Sequence, residues 1–215
     1  MLRLQCYHSK MSGERSETEI KLRFDSAADA LERLRPLGLE LRVARTFEDN
    51  VLYDRDRDPL ESSGKLLRLR RVGPRAVLTF KAPKTGADGR YKVRLEEETD
   101  VDDPDSMIRI LEALGFSPSY RYQKYRTEFA LDDLHVCLDE TPLGCFVELE
   151  GPPDSIDRTA ARLGIEADAY ITETYAELHE RHAAERGEKP GELLLSRDDG
   201  IGDVDSVDPE GRAAR

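Results

Sequence analysis

Glu17-Thr-Glu-Ile-Lys-Leu-Arg-Phe24 sets charged residues against uncharged ones at every second position. Successive side chains of a strand point to opposite faces. Glu17, Glu19, Lys21 and Arg23 therefore share one face, and Thr18, Ile20, Leu22 and Phe24 share the other. A single strand of this kind is ordinary, because a half-buried sheet carries one polar and one apolar face. Here the polar face consists of long charged side chains of both signs, and the pattern returns. Arg68 and Arg70 align in Leu67–Arg70, and Lys81 alternates with the apolar residues of Val77–Lys81. Lys92, Arg94, Glu96 and Glu98 align in Tyr91–Thr99, as do Lys124, Arg126 and Glu128 further on. Glu148 and Glu150 oppose Val147 and Leu149.

Helical segments separate these strands. Ser26 is placed to cap a helix that stops at Pro36-Leu-Gly38. Asp105–Gly115 repeats the design, with Ile108, Leu111 and Leu114 on one face, and Asp154–Gly164 repeats it again. A fourth helix is expected over Asp168–Ala183, with Tyr170, Ile171, Tyr175 and Leu178 as its apolar stripe. The order is that of an α+β protein. The pattern alone leaves two readings open. The helices cover the apolar faces and the charged faces line the inside of a barrel, or the charged faces meet solvent with weak surface ion pairs.

Composition narrows the classes. The chain has 215 residues and a net charge of −12, which argues against general binding of nucleic acid or anionic membranes. No apolar run approaches the roughly 20 residues of a bilayer span, and Met1–Gly13 lacks the apolar stretch of a signal peptide. Three cysteines, Cys6, Cys137 and Cys145, do not make a disulfide framework. A soluble cytoplasmic protein, monomer or homodimer, is expected. Residues 1–13 read as an N-terminal extension. Residues 184–215 read as an acidic, disordered tail that could be removed from Gly187 onward without loss.

Enclosing so many charges unpaired would be very costly. Two kinds of ligand would remove that cost. Clustered carboxylates suit a hard divalent cation such as Mg²⁺ or Mn²⁺, and the Arg/Lys set suits a polyphosphate. A metal–phosphate site follows from the residue types.

Glu17-x-Glu19-x-Lys21 resembles the ExExK signature of the CYTH superfamily, the triphosphate tunnel metalloenzymes. Leu67–Arg70, Thr79-Phe80-Lys81, Arg94-Leu95-Glu96-x-Glu98, Lys124-x-Arg126, Leu138-Asp139 and Phe146-Val147-Glu148-x-Glu150-Gly151 follow in the family's order. Asn50-x-x-Tyr53-Asp54 is similar to its loop after the second strand. The resemblance covers Ser16 to His182, within a domain taken as residues 14–183. It implies an eight-stranded antiparallel β-barrel or tunnel with a charged lumen and helices packed outside. Lys21, Arg68, Arg70, Lys81, Arg94, Lys124 and Arg126 would then bind a triphosphate. Glu17, Glu19, Asp139, Glu148 and Glu150 would hold metal, with Glu96 and Glu98 as further ligands or water positioners. Glu17, Glu19 and Lys21 would be catalytic.

The resemblance implies metal-dependent hydrolysis of tripolyphosphate or an organic triphosphate. A class IV adenylate cyclase would use the same residues for attack by the ribose 3′-hydroxyl. A non-catalytic polyphosphate-binding module ranks last, since no carboxylate is missing. Some family members carry a lysine on the C-terminal helix at the tunnel. The segment Tyr170–His182 has none, and its tyrosines read as packing residues.

Overall fold

The computed structural model describes residues 16–84 and 89–196. The expected N-terminal extension and the tail beyond Ser196 lie outside them. The chain runs through β1 (Ser16–Phe24), α1 (Ala27–Leu34), β2 (Glu40–Asp54), β3 (Leu66–Val72), β4 (Arg75–Pro83) and β5 (Lys92–Val101). It continues with α2 (Pro104–Ala113), β6 (Ser117–Leu131), β7 (Leu134–Thr141), β8 (Gly144–Glu150), α3 (Pro153–Arg162) and α4 (Tyr175–Glu185). The eight strands close into one antiparallel barrel in the order β1-β5-β4-β3-β2-β6-β7-β8. The barrel reading is therefore correct, and the solvated-sheet alternative falls.

The alternation decides which way each strand faces. Ile20, Leu22, Val136, Leu138, Val147 and Leu149 point outward and are buried beneath Ala30 and Leu34 of α1 and Ile156 and Ala160 of α3. Leu69, Ala76 and Val101 on the opposite wall pack with Leu111 of α2. Burying each large aliphatic side chain contributes roughly 1.5–3 kcal/mol, so the helices hold the apolar outside while the charges turn in. Ser26 caps α1 as expected, accepting from the Asp29 N–H at 3.1 Å. Leu114, expected on the buried face of α2, is 66% exposed at the helix end.

Three expectations need correction. Asn50–Asp54 is the last part of β2, paired with β3 and β6, not a loop. The fourth helix begins at Tyr175, because Thr174 and Glu177 form a reciprocal capping box there. Tyr170 and Ile171 precede it, and Ile171 instead exchanges backbone hydrogen bonds with Lys21 on β1, at 2.8 and 3.0 Å. Part of the expected tail packs on the barrel. Helix α4 runs past Ala184, and Leu193 is buried and bridged to Tyr122.

Candidate active site in the barrel lumen

Strand register sets the order of charges around the lumen. On β1, Glu19 lies beside Lys92 of β5 and Glu150 of β8, and Lys21 lies beside Glu148. Lys81 of β4 faces Glu96 of β5. Arg126 of β6 faces Asp139 of β7. The lumen and its mouths form a continuous cavity of about 2150 Å³.

Inside, acids and bases are interlocked. Lys81 Nζ donates to Glu17 Oε2 at 2.5 Å and lies 3.2 Å from Glu96. Lys21 Nζ stands between Glu19 at 3.2 Å and Glu148 at 3.4 Å. Lys92 reaches Glu19 at 3.8 Å. Arg68 donates to the hydroxyls of Tyr122 and Thr79, both at 3.3 Å, and lies 3.5 Å from Glu98. Arg70 Nη1 donates to Glu48 at 3.3 Å.

Asp139 has no solvent exposure and is the most heavily bonded acid. Its Oδ1 accepts from Arg126 Nε at 2.7 Å. Its Oδ2 accepts from Lys124 at 2.7 Å, Arg126 Nη2 at 2.6 Å and the Tyr175 hydroxyl at 2.7 Å. Arg126 also bonds Glu148. Arg94 stands apart from this network: it donates to the Gly64 carbonyl at 2.6 Å, at the mouth. Glu150 pairs with His135 at 3.4 Å, and His135 also meets Glu128 at 3.1 Å.

These neighbours move the titrations. Burial, with help from Glu19, Glu96 and Glu150, holds the Glu17 carboxyl well above its usual value despite Lys81. Burial also acts against ionised Glu19, but Lys21 reverses it and keeps that carboxyl well below the usual range. Glu48 is brought to about 2, with Arg70 and Lys124 outweighing burial. Glu96 reaches about 2 likewise, through Glu17 and Lys81. Burial, Lys21 and Arg94 bring Lys92 down to about 8.

The predicted residues thus converge, apart from Arg94 at the rim; Glu150 stands beside Glu19 and close enough to act on Glu17, and also pairs with His135. The prediction missed Glu48, Asn50, Thr79, Tyr122 and Tyr175. Tyr175 is more than a packing residue, because its hydroxyl bonds Asp139 and its ring lies 5.4 Å from Lys21 Nζ and 5.2 Å from Lys124 Nζ. Tyr120 and Tyr122 share the inner face, their rings 6.1 Å apart and inclined by 27°. Tyr125 faces outward against Phe47.

The donor set fits a hard cation, being carboxylate oxygen throughout. Among the described residues no three His, Cys, Asp or Glu side chains already converge on one point. An ammonium stands between the carboxylates instead, Lys21 between Glu19 and Glu148 and Lys81 between Glu17 and Glu96. Asp139 fits least, since four donors already occupy its oxygens.

A family profile, the CYTH domain, matches residues 15–175. The chain belongs to the CYTH family. Among solved structures, a protein from Vibrio parahaemolyticus described as a candidate adenylate cyclase is 22% identical, with a TM-score of 0.66, over 77% of this chain and 98% of its own. The PH1012 protein of Pyrococcus horikoshii is 25% identical, with a TM-score of 0.63, over 75% and 98%. A Hippeastrum candidate adenylyl cyclase, described as having a dominant triphosphatase activity, is 19% identical, with a TM-score of 0.52, over 80% and 96%. No curated protein matches. CYTH proteins typically act on triphosphates, and their tunnel enzymes depend on metal. No described helix is long and apolar enough to cross a membrane.

Proposed function

We propose that this CYTH protein hydrolyses tripolyphosphate or an organic triphosphate with Mg²⁺ or Mn²⁺, as a cytoplasmic monomer or homodimer. One observation carries the reading: the lumen holds buried carboxylates and buried Lys/Arg side chains pinned on each other. Buried ion networks seldom raise stability, and strongly shifted carboxylates cluster at functional sites. A triphosphate engages the bases and a divalent cation engages the acids, so the pair together replaces both halves of the network.

In this reading Lys21, Arg68, Arg70, Lys81, Lys124 and Arg126 take the phosphate oxygens, with Arg94 at the entrance. Glu17, Glu19, Glu96, Glu148 and Glu150 are the metal ligands, and Glu98 positions water. Asp139 serves instead to hold Lys124 and Arg126 in place. The cation, when bound, neutralises phosphate charge and acidifies a coordinated water. The chain's own part is to align and screen. Water attacks the terminal phosphorus in line, a new P–O bond forms, and the bond to the leaving diphosphate oxygen breaks. Charge spreading onto the phosphoryl oxygens is met by the fixed Arg/Lys donors. Glu17, Glu19 and Lys21 are the catalytic core of this assignment.

A class IV adenylate cyclase is the second reading. It is favoured by the near-parallel Tyr120 and Tyr122 rings in the cavity wall, which offer a base a stacking surface. The test is phosphate release from tripolyphosphate measured beside cyclic AMP formation from ATP. Phosphate without cyclic AMP supports the hydrolase, and cyclic AMP with pyrophosphate supports the cyclase. Neither product, with either metal, overturns the tripolyphosphatase and the cyclase and points to another organic triphosphate or to a binding role.

A further inference from the structure

Helix α4 turns Tyr175 to Asp139 in the lumen, and the chain is fastened to the barrel before and after it. Strand β6 is longer than its neighbour: β7 pairs with it only from Tyr125 onward. The backbone of Arg121–Gln123 therefore has an open edge, and an unpaired edge is a template for another strand. The chain supplies one. Gly187, at φ +69, ends α4 and turns it back, with the Glu188 N–H bonded to the Ala183 carbonyl at 2.9 Å. The following segment then runs parallel to β6. Leu193 N–H donates to the Arg121 carbonyl and Gln123 N–H to the Leu193 carbonyl, each at 2.9 Å. Ile171 makes the matching bridge to Lys21 on β1 before the helix begins.

Between the two fastenings, Tyr175 reaches Asp139 inside the lumen. The Leu193 side chain is 5% exposed and belongs to the cluster of Tyr122, Phe146, Tyr175 and Leu178. The Tyr122 and Tyr175 rings lie 6.0 Å apart. Leu193 also lies beyond residue 175, where the family match ends.

We propose that the segment around Leu193 is a positioning staple of the site. It holds Tyr175 over Lys21 and Lys124 and so sets the affinity for the triphosphate. The inference rests on the triphosphate reading above. Its test uses the full chain with inorganic tripolyphosphate as the probe, binding being followed by calorimetry without divalent metal and turnover with Mg²⁺. Leu193→Ala is expected to weaken binding about tenfold, within the range by which residues that touch no ligand shift coupling. Leu193→Met should restore it, and Leu194→Ala, on a side chain 37% exposed, should leave it unchanged. Leu193→Val replaces the alanine variant where that does not fold. Tyr175→Phe should weaken binding similarly. The double variant should lose no more than the worse single one, as expected when one residue acts through the other. A lowered melting temperature with unaltered affinity, or fully additive losses, overturns the staple alone. A wild-type chain that neither binds nor hydrolyses tripolyphosphate overturns the staple and the tripolyphosphate reading together.

Discussion

Asp139→Asn tests whether the lumen is an enclosed charge network. The wild-type carboxylate has no exposure and receives four hydrogen bonds, from Lys124, Arg126 twice and Tyr175. Asparagine keeps the shape but loses the charge, and its amide turns a donor toward donors. Lys124, 1% exposed, is left with Glu48 at 3.7 Å as its ion-pair partner. Breaking a buried pair and stranding one ion costs about 3–5 kcal/mol. One retained acceptor puts this case near the lower figure, about 3 kcal/mol. With a urea m-value of about 2 kcal/mol per molar, the midpoint falls by about 1.5 M. The assay is urea unfolding followed by circular dichroism and tyrosine fluorescence, with coincident transitions and an unchanged m. A shift under about 0.5 M would match an exposed pair and refute the enclosed network.

Three further outcomes follow from the same geometry. Glu17→Gln should abolish metal-dependent turnover by removing a carboxylate ligand, while Lys81 keeps Glu96 at 3.2 Å and the fold is retained; retained turnover contradicts its role. Burial brings Lys92 down to about 8, so its positive charge is present below that pH and lost above it; if that charge helps hold the phosphates, kcat/KM for tripolyphosphate should fall across this window in the wild type and less in Lys92→Arg, and identical profiles would show that it does not. Asn50 has no exposure and neither side-chain atom finds a partner, so Asn50→Leu should raise stability by about 1 kcal/mol in urea unfolding; a loss of stability would reveal an unseen partner.

The charged face of each strand was legible because one rule, alternation in constant phase, held along most strands, whereas the closed barrel was implied by the family resemblance. Alternation grouped Glu17, Glu19, Lys21, Lys81, Glu96, Lys124, Arg126 and Glu148 on the charged faces that the barrel turns inward. The rule weakens at Glu48-Asp49-Asn50, three polar residues in a row. Only pairing shows that Glu48 and Asn50 point in while Asp49 bonds Arg121 outside. Tyr175 was hidden for a different reason. A tyrosine on an amphipathic helix packs by default, and its hydroxyl gains meaning only when Asp139, distant in sequence, is beside it. Leu193 was masked by acidic neighbours, whose composition says nothing of an open strand edge waiting on β6.

The first strand closes the barrel by pairing with both the fifth and the last. That seam joins Lys21 to Glu148, a wider separation in sequence than any other strand pairing here, so loop entropy favours making it last. Distant closure of this kind slows folding, because the entropy of a long loop is lost before its contacts form. Until then the lumen charges remain hydrated in an open curved sheet. Water thus leaves them late, in the step that joins the two ends, and the cost of dehydrating them falls on that step. Salt that screens the pairs should therefore slow closure more than it slows the earlier assembly of the β2–β6 ribbon.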